Sequence, residues 1–278
     1  MVNVHRPLNL EDALHIRASE HAQLLAGGTD LMAKRERFSP HVRPVIYIGH
    51  LEELRHISLC GDELRIGAAC TLSQLLVSPL LPDFLKAPLA QMASPAIRNV
   101  ATIGGNLCNA SPAGDALPML YALDAVLCLR SSAGEVMVSV QDFILGPGKT
   151  RLEEGQLLSE IWIPLKRDWR CTYHKVGMRR ANSLAKLSFY ALADRSGGCL
   201  QDIRIAFGAV APKVVRCREA EQDILRAAHQ PAEDQLQRII SRYDKLLQPI
   251  DDVRSNRAYR RAVSLRLLTQ YLGEEMNG

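Results

Sequence analysis

The most informative stretch of this sequence is ATIGGNLCNASPAGD, residues 101–115. It combines two adjacent glycines and one carboxylate with short neutral polar side chains, at Thr102, Asn106, Asn109 and Ser111. Such neutral groups can donate hydrogen bonds to phosphate oxygens, and the Asp115 carboxylate can accept them from the hydroxyls of a ribose. A plain loop would rarely keep so many short polar side chains beside apolar neighbours. The stretch therefore predicts a binding site for a large ligand that carries a diphosphate.

A second diglycine segment, LLAGGTDL, occupies residues 24–31. It follows a short apolar run and precedes a polar, helix-like stretch. Adjacent glycines let the backbone turn at positive φ and bring a ligand close to bare N–H groups. A row of N–H groups where a helix begins suits a phosphate. On this segment alone, a strand-to-helix turn that merely needs glycine is an equally good interpretation.

Two common ways of binding a nucleotide have no support in the sequence. The run GPGKT, residues 146–150, ends like a phosphate-binding P-loop, but Phe143 stands where that pattern requires glycine. No G-x-G-x-x-G opens a βαβ unit, so a Rossmann site is not predicted. A dinucleotide would have to be held by different means.

The cysteines and histidines predict no metal centre on this chain. The seven cysteines include no C-x-x-C pair and are interpreted as reduced core thiols of a cytoplasmic protein. An iron–sulfur cluster, if electrons pass through one, would have to lie on another chain. The histidines lack metal-ligand spacing, and no nucleophile elbow or Ser/His/Asp arrangement predicts a catalytic residue.

Charge and hydropathy argue against two other classes of partner. The net charge is only +4, and the basic residues are spread over many segments. One cluster at helical spacing, Arg257, Arg260, Arg261 and Arg266, is better interpreted as a solvated helix face than as a nucleic-acid patch. No window approaches the roughly 20 apolar residues that a membrane-spanning helix needs, and no signal peptide is visible. We therefore expect neither a nucleic-acid partner nor a membrane span.

The order of elements predicts an α+β chain of two domains, residues 1–167 and 168–278. In the first domain short apolar strands alternate with helices, for which Asn9 and Thr71 are candidate N-caps. Hairpins are predicted at residues 61–62 and 131–134. In the second domain, runs at 171–178, 186–194 and 200–210 predict an antiparallel sheet. Helices are predicted after it, over residues 218–228, 233–247 and 255–272.

Several stretches together resemble one family. AGGTDL (26–31) and ATIGGNLCNASPAGD (101–115) resemble the two FAD-binding signatures of the flavoprotein, or medium, subunit in the xanthine dehydrogenase and carbon monoxide dehydrogenase family of molybdenum hydroxylases. LRIGAACTLSQL (64–75) and GPGKT also fit that domain. YHKVGMRRANSLAKL (173–187) and RIAFGAVAPKVVRCREAE (204–221) are similar to the family's carboxy-terminal domain. Bacterial xanthine dehydrogenase FAD subunits look most similar.

The resemblance implies a fold and a set of FAD contacts. The fold is a vanillyl-alcohol-oxidase (PCMH)-type FAD-binding domain of two α/β subdomains, followed by a CO dehydrogenase flavoprotein-like α+β domain with an antiparallel sheet plus helices. Residues 24–31 would contact the diphosphate, Asp115 the ribose, and Lys175 the isoalloxazine region. The full set implied to bind FAD is Leu24, Leu25, Ala26, Gly27, Gly28, Thr29, Asp30, Leu31, Ala101, Thr102, Gly104, Gly105, Asn106, Asn109, Ser111, Asp115, Leu158 and Lys175.

The resemblance also implies a division of labour within a heterotrimer. A large subunit that binds molybdopterin would oxidise the substrate, and a small subunit with [2Fe–2S] clusters would relay electrons. FAD on this chain would pass them to a final acceptor such as NAD⁺, in purine (xanthine or hypoxanthine) oxidation. The alternatives are the flavin subunit of a carbon monoxide, nicotinate or aromatic-aldehyde hydroxylase, a non-catalytic assembly subunit that lost FAD, and a free-standing flavin oxidase.

Overall fold

A computed structural model describes residues 3–33, 43–165, 168–179, 182–229 and 234–277 of the chain. The described residues form two compact units. The first unit draws on Met1–Pro82, Ala93–Ser111 and Asp124–Leu165, and the second on Asp83–Met92, Pro112–Leu123 and Lys166–Gly278. Two short segments from the first half of the chain therefore lie in the second unit. The boundary between residues 167 and 168 stays a prediction.

The strands, in chain order, are β1 (Val4–His5), β2 (Gln23–Leu25), β3 (Val45–Tyr47), β4 (Ile57–Cys60), β5 (Glu63–Gly67), β6 (Val126–Ser131), β7 (Gly134–Ser139), β8 (Ile144–Gly146), β9 (Lys149–Thr150), β10 (Leu157–Pro164), β11 (Arg170–Gly177), β12 (Ala185–Asp194), β13 (Asp202–Gly208) and β14 (Val215–Arg216). The helices are α1 (Leu10–Glu20), α2 (Leu72–Val77), α3 (Asp83–Ala90), α4 (Pro95–Arg98), α5 (Ile103–Asn109), α6 (Leu117–Ala122), α7 (Val140–Phe143), α8 (Arg218–His229), α9 (Gln235–Leu246) and α10 (Arg257–Asn277). Within the described part of the chain, none of these helices is both long and apolar enough to cross a membrane.

The first unit is built on two main sheets. The smaller sheet has the order β1-β3-β2 with parallel pairs, and α1 packs its apolar side against it through Leu10, Ala13 and Leu14. The larger sheet is antiparallel, with the order β4-β5-β10-β6-β7. Its central strand β10 is buried along most of its length, which explains the nearly continuous apolar run that forms it.

Local signals in the first unit act as predicted. The Asn9 side chain accepts a hydrogen bond from the Asp12 amide at 2.8 Å and caps α1. Thr71 and Gln74 form a complete capping box at the start of α2. Both predicted hairpins are present, and their glycines, Gly61 and Gly134, have φ values of 58° and 132°.

The second unit is a four-stranded antiparallel sheet, β11-β12-β13-β14, covered on both faces. Phe189 of β12 and Phe207 of β13 point to the face that packs on α8, α9 and α10. On the opposite face the Tyr190 hydroxyl donates to the Phe84 carbonyl of α3 at 3.0 Å, and Arg204 Nη1 donates to the Ala122 carbonyl of α6 at 3.0 Å. These contacts explain why α3 and α6 belong to this unit.

Two sequence-based interpretations need correction. Arg257, Arg261 and Arg266 are exposed as predicted, but Arg260 is only 2% exposed, so the interpretation as a solvated face is wrong for this residue. The seven cysteines carry free thiols, yet Cys60 and Cys199 are exposed rather than in the core. Their exposure follows from their positions, at the end of edge strand β4 and in the turn before β13.

Candidate functional site

The first diglycine segment follows β2 directly and makes a close backbone approach to the second segment. A Cβ atom on Gly27 would lie 1.9 Å from the Val100 carbonyl oxygen and 3.0 Å from Ala101 Cα, so only glycine fits there. Gly28 has φ +71°, and its carbonyl accepts from the Met32 amide at 2.9 Å to close a turn. Residues 29–33 form turns, and most of the helix predicted after them lies outside the described residues.

In the second diglycine segment the glycines lie inside a helix rather than in a turn. Thr102 caps α5, because its hydroxyl accepts from the Gly105 amide at 3.0 Å. The Gly104 amide donates to the Ala68 carbonyl at 2.9 Å, and a Cβ on Gly104 would lie 2.6 Å from that oxygen. Both N–H groups are thus occupied, and Gly104 permits α5 to pack tightly on Ala68, directly after β5. Any donors for a phosphate must come from other groups of the segment.

The polar side chains of the second segment include one with unused bonding capacity. Asn106 is half-buried on α5, and its Oδ1 atom is buried with no hydrogen-bond partner among the described residues. Asn109 ends the helix, Ala110 adopts φ +46°, and Ser111 follows. A buried amide oxygen without a donor is costly, so this position suits a ligand that supplies one.

The GPGKT run has a structural role in the first unit. It forms the turn between β8 and β9, with φ +67° at Gly148. The Gly148 amide donates to the Ala110 carbonyl at 3.0 Å, which ties this turn to the end of α5. Leu158, in contrast, is a core residue of β10, 3% exposed and opposite Leu129 of β6. Its predicted contact with FAD stays a prediction.

Asp115 and Lys175 form a buried ion pair in the second unit. Lys175 Nζ lies 2.7 Å from Asp115 Oδ2 and donates a further hydrogen bond to the Gln91 carbonyl at 2.9 Å. The two side chains are 6% (Lys175) and 9% (Asp115) exposed. Asp115 Oδ1 is buried and has no partner in the described part of the chain. The sequence assigned these residues separate roles, whereas the structure brings them together.

Tyr173 belongs to this group of side chains, although sequence reasoning did not include it in the predicted set. It precedes Lys175 by two residues on β11, and residues two apart share one face of a strand. Its hydroxyl is buried without a partner among residues the structure describes. Burial, and the nearby Asp115 carboxylate, raise the pKa of this hydroxyl well above its usual value. The period of two along β11 is the signal that could have identified it.

The Asp115 carboxyl has a perturbed proton affinity. Burial raises its pKa above the ordinary value, although the charge and the hydrogen bond of Lys175 act in the opposite direction. The ionised form of Asp115 therefore costs free energy in the folded protein. Such a perturbed carboxyl is typical of a group that binds a ligand rather than one that stabilises the fold. An unused carboxylate oxygen, an ammonium group and an unused phenol hydroxyl together can recognise a ligand rich in hydroxyl groups.

The raised pKa gives the stability of the chain a pH dependence. A carboxyl whose pKa is raised in the folded state contributes stability that is fully present below its ordinary pKa, about 3.9, and is lost as pH rises through the raised value. We therefore expect the free energy of unfolding of the wild type to fall relative to that of Asp115→Asn as the pH rises above about 4 in urea titrations. The opposite trend would show that Lys175 outweighs burial.

The described residues hold no group of three or more His, Cys, Asp or Glu side chains placed to bind a metal ion. In the second unit, the unused oxygen atoms of Asp115 and Tyr173, which are buried without partners among the described residues, instead fit an organic ligand with hydroxyl groups.

Comparison with known proteins identifies the two domains of the chain. Residues 1–166 match the FAD binding domain in molybdopterin dehydrogenase, and residues 172–274 match the CO dehydrogenase flavoprotein C-terminal domain. The chain is 36% identical over 225 residues to the xanthine dehydrogenase FAD-binding subunit of Escherichia coli O157:H7, covering 78% of this chain and 77% of that one. It is 30% identical to the glyceraldehyde dehydrogenase medium chain of Sulfolobus acidocaldarius, covering 98% and 96%.

Solved structures give the same answer for the fold. A chain of the CO dehydrogenase from Oligotropha carboxidovorans matches with a TM-score of 0.88 and 25% identity, covering 97% of this chain and 96% of that one. The predicted fold, an FAD-binding domain followed by a domain with an antiparallel sheet and helices, is confirmed. The protein is therefore an FAD-binding oxidoreductase subunit of the molybdenum hydroxylase family.

Proposed function

We propose that this chain is the subunit that passes electrons to the final acceptor in a molybdenum hydroxylase. The substrate of that enzyme would be a purine, xanthine or hypoxanthine. A large subunit with molybdopterin would oxidise the substrate, and [2Fe–2S] clusters on a small subunit would pass the electrons to this chain. This chain would deliver them to NAD⁺ or another acceptor. The similarity to a xanthine dehydrogenase FAD-binding subunit, at 36% identity, supports the purine assignment. The seven free thiols support a reducing, cytoplasmic location.

The observation that carries the proposal is a set of buried polar atoms in residues 101–115 that have no hydrogen-bond partner among the described residues. Asn106 Oδ1 and Asp115 Oδ1 are these atoms, and the stretch that contains them resembles an FAD-binding signature of the family. Bound FAD would supply the redox chemistry of the electron transfer. A stable protein rarely leaves such atoms buried and unbonded, so each of them is a candidate acceptor for a donor group of the ligand.

The residues of this chain would bind and orient the cofactor. The turn at Gly27 and Gly28, with the Thr29 hydroxyl, would meet the diphosphate, because the glycines keep side chains away from the backbone. Asp115 would accept hydrogen bonds from ribose hydroxyls. Lys175, already held by Asp115 and Gln91, would present a fixed positive charge near the isoalloxazine ring.

A fixed cation near the ring predicts an effect on its reduction potential. Positive charge stabilises an electron-rich ring, so Lys175→Met should lower the midpoint potential of bound FAD by roughly 30 mV or more, the shift that corresponds to a tenfold change for a two-electron couple. Spectroelectrochemical titration of the isolated complex measures this. Lys186→Met is the matched control, because Lys186 lies over the Tyr259 ring on another part of the second unit. Equal potentials for Lys175→Met and the wild type would contradict the role of Lys175.

Isolation of the complex tests the proposed function. An affinity tag on this chain, expressed in its native host, should recover two further subunits, with molybdenum, iron and FAD. The complex should reduce NAD⁺ with xanthine or hypoxanthine. Activity only with carbon monoxide, nicotinate or an aromatic aldehyde would transfer the assignment to another hydroxylase of the family. A complex without flavin would favour an assembly subunit that has lost FAD.

A further inference from the structure

Arg260 is a buried cation on α10 that the proposed function does not yet use. Its side chain is 2% exposed, in contrast to the exposed neighbours Arg257 and Arg261 on the same helix. Nη2 donates to Asp252 Oδ1 at 2.5 Å, and Nη1 donates to the Ala209 carbonyl at 3.3 Å. Burying a guanidinium is expensive unless it is paired and hydrogen-bonded, and Arg260 Nε is buried with no partner among the described residues. The two acceptors indicate what the buried guanidinium holds in place.

Asp252 fixes one end of the guanidinium. Burial disfavours its ionised form, yet hydrogen bonds from Arg254 and Arg260 hold the pKa of this carboxyl well below its usual range. Its Oδ1 also accepts from the amides of Arg254 and Ser255, at 2.9 and 3.1 Å. Asp252 therefore stays charged and hydrogen-bonded, and the guanidinium that it binds also donates to Ala209.

Ala209 is the other acceptor, and its backbone is unusual. It has φ +62°, a conformation that costs an alanine roughly 1 to 2 kcal/mol relative to glycine. Its amide donates to the Pro112 carbonyl at 2.8 Å. One residue earlier, a Cβ on Gly208 would lie 2.9 Å from Pro118 Cγ. Ala209 is therefore hydrogen-bonded to one end of the segment from Pro112 to Pro118, Gly208 packs closely against the other end, and Asp115 lies between those ends.

We propose that Arg260 is a positioning residue for Asp115. By binding the Ala209 carbonyl, it keeps residue 209 in the left-handed conformation whose amide holds Pro112. The Asp115 carboxylate is thereby kept beside Lys175, with Oδ1 free for the cofactor. This inference rests on the proposed function, because it gives Asp115 its role in FAD binding. Arginine suits the task better than lysine, since its planar fork reaches two acceptors at once whereas an ammonium is a point charge.

The first experiment tests the backbone link without reference to flavin. Hydrogen–deuterium exchange of the full chain should show a protected Ala209 amide in the wild type and at least roughly tenfold faster exchange in Arg260→Met, because the left-handed residue loses its anchor. Arg260→Lys keeps a positive charge beside Asp252, so it tests the same link even if Arg260→Met does not fold. Its Ala209 amide should exchange at a rate between those of the wild type and Arg260→Met. Arg261→Met, which loses only an exposed pair with Asp244, is the matched control and should exchange like the wild type. Equal exchange in Arg260→Met and Arg261→Met would overturn the proposal.

The second experiment tests whether Arg260 acts through Asp115. FAD is titrated into the deflavinated complex isolated through a tag on this chain, for the wild type, Arg260→Met, Asp115→Asn and the double variant. We expect Arg260→Met to raise Kd for FAD roughly tenfold, about 1.4 kcal/mol, and the double variant to match Asp115→Asn alone. Additive losses in Kd, or a Kd for Arg260→Met equal to that of the wild type, would overturn the positioning role while the proposed function stands. A wild type that binds no FAD would overturn both.

Discussion

Gly27→Ala is expected to lower the melting temperature by roughly 10 °C and to abolish retention of FAD. The added Cβ would lie 1.9 Å from the Val100 carbonyl oxygen and 2.8 Å from its carbon. Both atoms belong to the backbone, so no side chain can rotate away and the two diglycine segments must separate. Forced overpacking of this kind costs about 3 kcal/mol or more. The loss of FAD follows because both segments are proposed to bind it.

Three glycines of the first unit give a graded control for this prediction. At Gly28 a Cβ would meet only the side-chain ends of Met32 and Leu25, at 3.2 and 3.3 Å, but φ is +71°. Gly28→Ala should therefore cost only the left-handed penalty, about 1 to 2 kcal/mol. At Gly146 nothing lies within 4 Å, so Gly146→Ala should behave like the wild type. The melting temperature and the amount of flavin released by acid should both decrease in the order Gly146→Ala, Gly28→Ala, Gly27→Ala. Equal effects at Gly27 and Gly146 would contradict the close approach seen here.

The sequence predicted the local features of this fold because short-range rules decide them. The caps at Asn9 and Thr71 depend on side chains within three residues of the backbone groups that they bind. The three strand predictions of the second domain and its helix predictions agree with β11 to β13 and with α8 to α10 to within a few residues, apart from the carboxyl end of α10. Hydrophobic periodicity contains this information directly.

The sequence could not predict contacts between distant parts of the chain. The assignment of α3 and α6 to the second unit depends on bonds such as Tyr190 to Phe84, which are 106 residues apart. Burial of Arg260 depends on acceptors at positions 209 and 252, so its helical spacing alone suggested a solvated face. The helical glycines of α5 are explained by the Ala68 carbonyl, and no local pattern in residues 101–115 identifies it.

The candidate site shows the same division between what could and could not be predicted. The short polar residues of segment 101–115 predicted a class of ligand, since their chemistry alone suits phosphate and ribose. The pairing of Asp115 with Lys175 joins residues 60 positions apart and makes one charged group of two predicted contacts. Tyr173 joins this group because it lies two residues before Lys175 on β11. Residue chemistry thus predicts what a site binds, while tertiary structure decides which residues act together.

Asp115→Asn is expected to weaken FAD binding without lowering the stability of the chain. The variant keeps the shape of the side chain but removes the charge that burial disfavours, so the chain without FAD should be at least as stable as the wild type at neutral pH. Binding should suffer, because hydrogen bonds to a charged group are worth about 1.5 to 3 kcal/mol, which corresponds to a roughly tenfold to hundredfold rise in Kd. Fluorescence titration with FAD and urea unfolding of the deflavinated chain measure the two quantities independently.

Asp124→Asn is the matched control for this prediction, because it makes the same chemical change at a residue outside the predicted FAD-binding set. Asp124 has φ +54°, a conformation that asparagine also tolerates, and it accepts from Gln141 Nε2 at 3.1 Å. Its substitution should leave the affinity for FAD unchanged. If Asp115→Asn instead lost stability and FAD affinity together, the ion pair with Lys175 would have a structural role. If the affinity for FAD were unchanged in Asp115→Asn, Asp115 Oδ1 would make no contact with the cofactor. Asp115 would then no longer be assigned to the FAD site.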